Sequence, residues 1–318
     1  MPLGAVAATL RLVSDAILLA GTKSDGRRPS HPFKSMLEGV RKVVNLDTVL
    51  DSPLPRSYTK FVGRWLLHLV ETVRQVGAFA LISLGVMVTR WNRAKTVINP
   101  LIANQIAWSG IGQLPIVTFL ACALGFAVIG QTVALLSRVG AQDLIGTVMV
   151  TVVVRELGPI ITAGVVLLRV GTATVIELGT ARASGEVEAL EALGIDPVHY
   201  LVVPRMIGMA TAVVCLSAYL IVGTLFSGYM FAFLQDVPLV PGEYFKQVVL
   251  ALRWEDFVLL TLKGVMFGLI IATVTCFHGL ARPIQLTEVS VVATRALLTS
   301  LILCVLVDAA FLLVYLLM

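Results

Sequence analysis

The sequence predicts an all-helical integral membrane protein: an N-terminal interfacial amphipathic helix, then five transmembrane helices with a short cytoplasmic helix between two of them. Three observations predict it. Hydrophobic residues make up 58% of the chain and charged residues 14%, with a mean hydropathy of +0.93, a balance that excludes an ordinary soluble enzyme. Five apolar runs each reach the roughly twenty residues that a helix needs to cross the hydrocarbon. The few ionisable residues inside those runs gather at certain places and are not scattered, which by default marks a polar cavity or a path.

Residues 1–57 form a polar, basic extension with Lys23, Arg27, Arg28, Lys34, Arg41 and Lys42 among Pro, Ser and Gly; it is expected to be cytoplasmic and partly disordered. Its opening, MPLGAVAATLRLVSDAILLAG, lacks the basic start of a secretory signal and is broken by Arg11 and Asp15. Asp15, Asp25 and Glu38 argue likewise against an organelle transit peptide, so a bacterial chain is expected. Over 58–98 the apolar positions Phe61, Val62, Trp65, Leu66, Leu69, Val73, Ala80 and Leu84 recur at helical spacing opposite Arg64, His68, Glu71, Arg74 and Gln75. With Trp91 set between Arg90, Arg93 and Lys95, this reads as a helix anchored at headgroup level; an amphipathic helix of a soluble domain is the alternative.

The transmembrane domain occupies 99–318, with spans expected at 113–137, 144–170, 206–234, 257–277 and 292–317. Five spans place the termini on opposite sides, and the basic first hundred residues hold the N-terminus in the cytoplasm. The loops at 179–204 and 278–291 are then cytoplasmic, the loop at 235–256 external and the C-terminus periplasmic. The four cysteines, Cys122, Cys215, Cys276 and Cys304, stand singly in apolar runs and read as small core residues. His31, His68, His199 and His278 are too dispersed for a metal site, no Walker glycine loop is present, and nothing interleaves basic and aromatic residues as a nucleic-acid binder would.

The second span carries Arg155 and Glu156 at its middle, followed by Gly158 and Pro159. Pro159 has no amide hydrogen, so the Arg155 carbonyl loses its helical partner and a kink is expected there, made easier by Gly158. Consecutive helical positions point about 100° apart, so the two charges must pair across to other helices. Lys263 in the fourth span is the expected partner of Glu156; Asp308 or a lipid phosphate is the expected partner of Arg155. Either the charges hold helices in register, or they line a cavity that accommodates lipid.

Between the second and third spans, Ser184–Leu193 reads as a short helix, with Ser184 as its N-cap, Glu186 in its first turn and Gly194 ending it. Val187, Leu190 and Leu193 make one apolar stripe among Glu186, Glu188 and Glu191, and a stiff Asp196-Pro197 turn follows. Such an element is either a solvated loop or a helix that docks into a partner's groove.

From Tyr58 onward, RELGP (Arg155 to Pro159), the Arg-Val-Gly turn (Arg169 to Gly171), Glu177-Leu178-Gly179, Arg182, EALEALGIDP (Glu188 to Pro197) and Pro204-Arg205 occur in order. Trp254, Lys263, Phe277-His278-Gly279, Thr294-Arg295 and Asp308 follow. In content and order this resembles the MlaE/YrbE-type permeases, membrane subunits of ABC transporters that move phospholipids or other apolar lipids with MCE-domain partners. The resemblance implies an inner-membrane, non-catalytic permease, working as a homodimer with a pair of ATPase subunits that bind ATP and Mg; this chain itself would bind no cofactor and no nucleic acid. It implies a substrate pathway at Arg155, Glu156, Lys263 and Asp308. It also implies an ATPase-coupling helix that uses Glu186, Val187, Glu188, Leu190, Glu191, Leu193, Asp196 and Pro197. Two departures stand out. Gly185-Glu186 replaces a frequent Glu-Gln step and loosens the start of the coupling helix, and residues 1–57 have no counterpart in shorter relatives. An ion-coupled carrier using the same charges, or a membrane-embedded enzyme with Glu156 as acid or base, are the competing functions; the absence of a nearby nucleophile or metal motif weighs against the second.

Overall fold

The computed structural model describes residues 71–87, 89, 95–141, 144–234, 241–280 and 288–317, and every regular element among them is helical. A helix over 71–87 (α1) precedes five helices long and apolar enough to cross a membrane: α2 (Ile98–Val133), α3 (Ile145–Ala183), α5 (Val198–Phe231), α7 (Trp254–Leu280) and α8 (Val289–Tyr315). Two short helices lie between spans, α4 (Glu186–Ala192) after α3 and α6 (Pro241–Ala251) before α7. Residues 58–70 of the expected interfacial helix and 90–94 of its expected anchor lie outside the described residues, as does all of 1–57. Within α1 the packed face differs from the expected one: Leu84 packs against the main core as expected, but Val73 is exposed, and it is Val76 that is buried and Phe79 that packs on the core and meets Phe277 on α7.

The spans are longer than expected at several ends. The first begins at Ile98 and not at 113, and the second runs 39 residues to Ala183, about 58 Å at 1.5 Å per residue, nearly twice the hydrocarbon thickness. The loop expected at 179–204 therefore shrinks to the elbow around α4. The segment 235–256, expected as an external loop, contains α6. The cause is common to all these differences. Apolarity ends where the hydrocarbon does, but helical hydrogen bonding continues wherever the backbone has no better partner. The Arg169 to Gly171 stretch is likewise not a turn but part of a π-helical segment, Leu167–Gly171, inside α3.

α5 is the centre of the bundle. It packs against α2 on one side and α7 on the other, while the C-terminal half of α3 packs on α7 and α8, and α6 rests on the start of α3. Met206, Met209, Val213, Leu216 and Leu220 of α5 are buried with Phe267 and Ile271 of α7 in the main core. A second core at the other end joins Val153 and Val154 of α3 to Ile221 and Tyr229 of α5 and Tyr244 of α6. Close approach of α5 and α7 depends on Gly268, where any Cβ would run into the backbone of Met209 and Ala210. By contrast α8 buries only 11% of its most apolar window. Cys276 and Cys304 are buried as expected, but Cys122 and Cys215 are exposed. A lipid-facing surface is as apolar as a core, so an apolar run does not distinguish the two.

Candidate substrate path and coupling elbow

Arg155 and Glu156 fall about ten residues into α3, roughly 15 Å below its start, inside a π-helical segment, Val150–Leu157. The wide turn is the response to Pro159. Gly158 N–H reaches back five residues to the Val153 carbonyl, and the Arg155 carbonyl, which Pro159 cannot serve, instead accepts from Lys263 Nζ at 3.0 Å. The same ammonium donates to Glu156 Oε2 at 3.1 Å and lies 2.5 Å from Asp308 Oδ1 on α8. Lys263 thus gives hydrogen bonds to two acceptors on α3 and forms an ion pair with Asp308 on α8.

The expected Glu156–Lys263 pair is therefore formed, but Arg155 does not pair with Asp308. Its Nε and Nη2 grip Asp256 Oδ1 and Oδ2 at 2.7 and 3.2 Å, its Nη1 donates to Tyr315 Oη, and the guanidinium carbon stands 4.6 Å from the Tyr315 ring centre. Asp256 also accepts the Arg253 backbone N–H at 2.9 Å. That contact, from the third residue of α7 to the residue before the helix, is half of a capping box, so one buried carboxylate both starts α7 and neutralises Arg155. Asp256 was missed in the sequence reading because an acid in a first helical turn is unremarkable. The available signal was its spacing from Lys263, seven residues, which is two turns on one face; Asp308 and Tyr315 repeat that spacing on α8.

Two ladders of charge thus cross three helices: Arg155–Asp256–Tyr315 and Glu156–Lys263–Asp308. Arg155, Glu156, Asp256 and Lys263 line one recess with Leu259, Phe311 and Tyr315. Asp308 stands behind it, paired with Lys263. A polar recess beside it is lined by Thr147, Thr151, Arg155, Arg253 and Tyr315, and a more open one by Arg253, Trp254, Glu255, Val258 and Tyr315. Among the described residues no group of three His, Cys, Asp or Glu is placed to hold a metal ion.

At the other end of α3, the elbow departs from expectation at one residue. Ser184 does not cap α4; its hydroxyl donates back to the Thr180 carbonyl at 2.8 Å and closes α3. Gly185 precedes α4 at φ 79°, a left-handed conformation that glycine adopts without strain. This accounts for the Gly185-Glu186 departure: the glycine is what lets α3 turn directly into α4. Gly194, at φ 76°, ends α4 as expected, with its N–H bonded to Glu191 O and Ile195 N–H to Leu190 O. Asp196 then caps α5 by accepting the Val198 N–H at 3.0 Å, with Pro197 in the first turn. Of the stripe Val187, Leu190 and Leu193, only Val187 is buried; Leu193 is 75% exposed. Leu190 and Leu193 line an open groove with Ala181, Tyr200 and Leu201. Glu188 pairs with Arg182 at 3.3 Å, and Glu177 on α3 pairs with Arg205 on α5 at 3.0 Å.

A sequence model of the family described as Permease MlaE matches residues 102–314. A probable ABC transporter permease protein of Synechocystis is 31% identical over 72% of this chain and 86% of its own length. One of Rickettsia typhi is 29% identical over 67% of this chain and 81% of its own. The Arabidopsis thaliana chloroplast protein TRIGALACTOSYLDIACYLGLYCEROL 1 is 29% identical over 63% of this chain and 57% of its own.

Proposed function

This chain belongs to the MlaE permease family, and from that membership we propose that it is the permease subunit of an ABC-type lipid transporter, with phospholipid as its cargo. It passes lipid between the bacterial inner membrane and an MCE-domain partner, with its N-terminus cytoplasmic and C-terminus periplasmic. A separate pair of ATPase subunits binds ATP and Mg and drives a homodimer of this chain. The lipid cargo draws support from the Arabidopsis relative, whose name is that of a glycerolipid, and from an amphipathic recess between α3, α7 and α8.

The observation that carries the ATP-driven reading is α4. A seven-residue helix set between two long spans has its glutamates in solvent, and two leucines of its apolar stripe are left partly or wholly uncovered. That is the form of a helix waiting for a groove. Arg155, Glu156, Lys263 and Asp308 then belong to the substrate path, with the 58–98 region lying along the membrane surface. The test is mass spectrometry of proteins co-purifying with the tagged chain from its native membrane. A Walker-type ATPase and an MCE-domain protein recovered in comparable amounts support the reading; recovery of the chain alone, under conditions that preserve other ABC complexes, overturns it.

A further inference from the structure

We infer that Arg253, at the elbow between α6 and α7, is the residue that holds the anionic headgroup of the transported amphiphile. The inference rests on the lipid-permease reading and assigns its selectivity to a residue outside the charged ladders. Arg155 lies deeper and is already neutralised: Asp256 grips it with both oxygens. Lys263 is already paired with Glu156 and Asp308. Arg253 differs in both respects. Its backbone is pinned, because its N–H donates to Asp256, yet its side chain is exposed, and among the described residues no ion pair or side-chain hydrogen bond engages the guanidinium.

Its position joins two unlike compartments. On one side is the polar recess with Thr147, Thr151 and Arg155; on the other is an open recess walled mainly by Trp254, Val258 and Leu259, with Asp256 at its edge. Arg253 and Tyr315 line both. A molecule that fills both is polar at one end and apolar at the other, and the unpaired guanidinium at the junction suits an oxyanion, phosphate or carboxylate, at the polar end. Glu255 lines the apolar side and repels that anion, setting how strongly it is held. Arg155 and Asp256 also reach these recesses, but they are paired with each other.

The experiment uses the full chain with its co-purifying subunits in nanodiscs. It compares labelling by a phosphatidic acid bearing a photoreactive acyl chain with labelling by the diacylglycerol of the same chains. Arg253→Ala should lower phosphatidic acid labelling about tenfold, the factor that one lost charge-assisted contact corresponds to, and leave diacylglycerol labelling unchanged. Arg253→Lys should restore part of it, and Glu255→Gln should raise it. Unchanged labelling in Arg253→Ala, or an equal fall for both probes, overturns the assignment. So does competition by millimolar inorganic phosphate alone, which would make this a free-anion site. Co-purification of the ATPase in the same preparations reads the permease function separately, so the loss of one result does not imply loss of the other.

Discussion

The ladders between α3, α7 and α8 and the elbow around α4 are both rich in acidic side chains, and they spend them in opposite ways. In the ladders every carboxylate meets a cation: Asp256 takes Arg155, while Glu156 and Asp308 share Lys263. At the elbow Glu186 and Glu191 stand in solvent, while Glu188 pairs with Arg182. Charge removed from water must be matched locally, whereas charge left in water costs nothing to keep and remains available to a partner. One region is therefore closed by its own contacts. The other is left incomplete by design of its sequence.

The largest expected effect breaks the closed region. Lys263→Met would strip the partner from two carboxylates and from the Arg155 carbonyl, and removing one member of a buried ion pair costs about 3–5 kcal/mol. The thermal midpoint in detergent should fall steeply, and little folded protein should accumulate. Adding Glu156→Leu and Asp308→Leu should recover most of the stability, since apolar replacement of a whole buried ionic cluster is often near neutral. Transport measured in that triple variant then separates the two roles: restored stability with restored transport would mean that the charges only set helix register.

Asp256→Ala comes next. It leaves Arg155 without its counter-charge and removes one cap from α7, at an expected cost of about 3 kcal/mol. Tyr315→Phe removes only a hydroxyl from Arg155 and should cost about 1 kcal/mol, read by the same melting measurement.

What was legible in the sequence follows the same division. Glu156 with Lys263 could be paired in advance because two opposite charges in apolar runs have few other partners. Arg155 with Asp256 could not, because a carboxylate in a helix's first turn has an ordinary explanation and the choice between it and Asp308 depends on helix rotation. Five spans were readable from hydropathy, but the extension of α3 to Ala183 and the presence of α6 were not, since neither lies in hydrocarbon-length apolar sequence. At the elbow, Gly194 declared itself by residue type, whereas Asp196, expected as part of a stiff turn, caps α5. Ser184 misled because a serine between two helices caps either one, and only the left-handed Gly185 after it decides which.

The open region is sharpened by two neighbouring residues on α4. Val187 is 2% exposed, so Val187→Asp buries a charge and should destabilise the chain by itself. Leu190→Asp puts the same charge at the edge of the groove and should leave the melting midpoint within about 0.5 kcal/mol of the parent, as surface changes do. Its effect should appear only on assembly, as at least a tenfold loss of ATPase association and a matching loss of transport. A Leu190→Asp chain that binds its ATPase and transports at full rate would remove α4 from the coupling role.

The smallest expected effect bears on whether the two regions are independent. A Cβ at Gly185 meets nothing within 4 Å, so Gly185→Ala costs only the left-handed backbone strain, about 1 kcal/mol. Gly185 and Tyr315 share no partner, and changes at well-separated sites add to within about 0.5 kcal/mol. In the isolated chain, Gly185→Ala combined with a mild change in the ladders, Tyr315→Phe, should therefore be additive by thermal melting. α3 nonetheless carries Arg155 and Glu156 near one end and Gly185 just past the other, as a single helix of 39 residues. If ATP-driven motion at α4 reaches the ladders, it has this helix to travel through, and the same pair of substitutions should become non-additive in the transport rate of the assembled transporter. Additivity in both measurements would mean that α3 is only a scaffold, and that coupling passes through α5 instead.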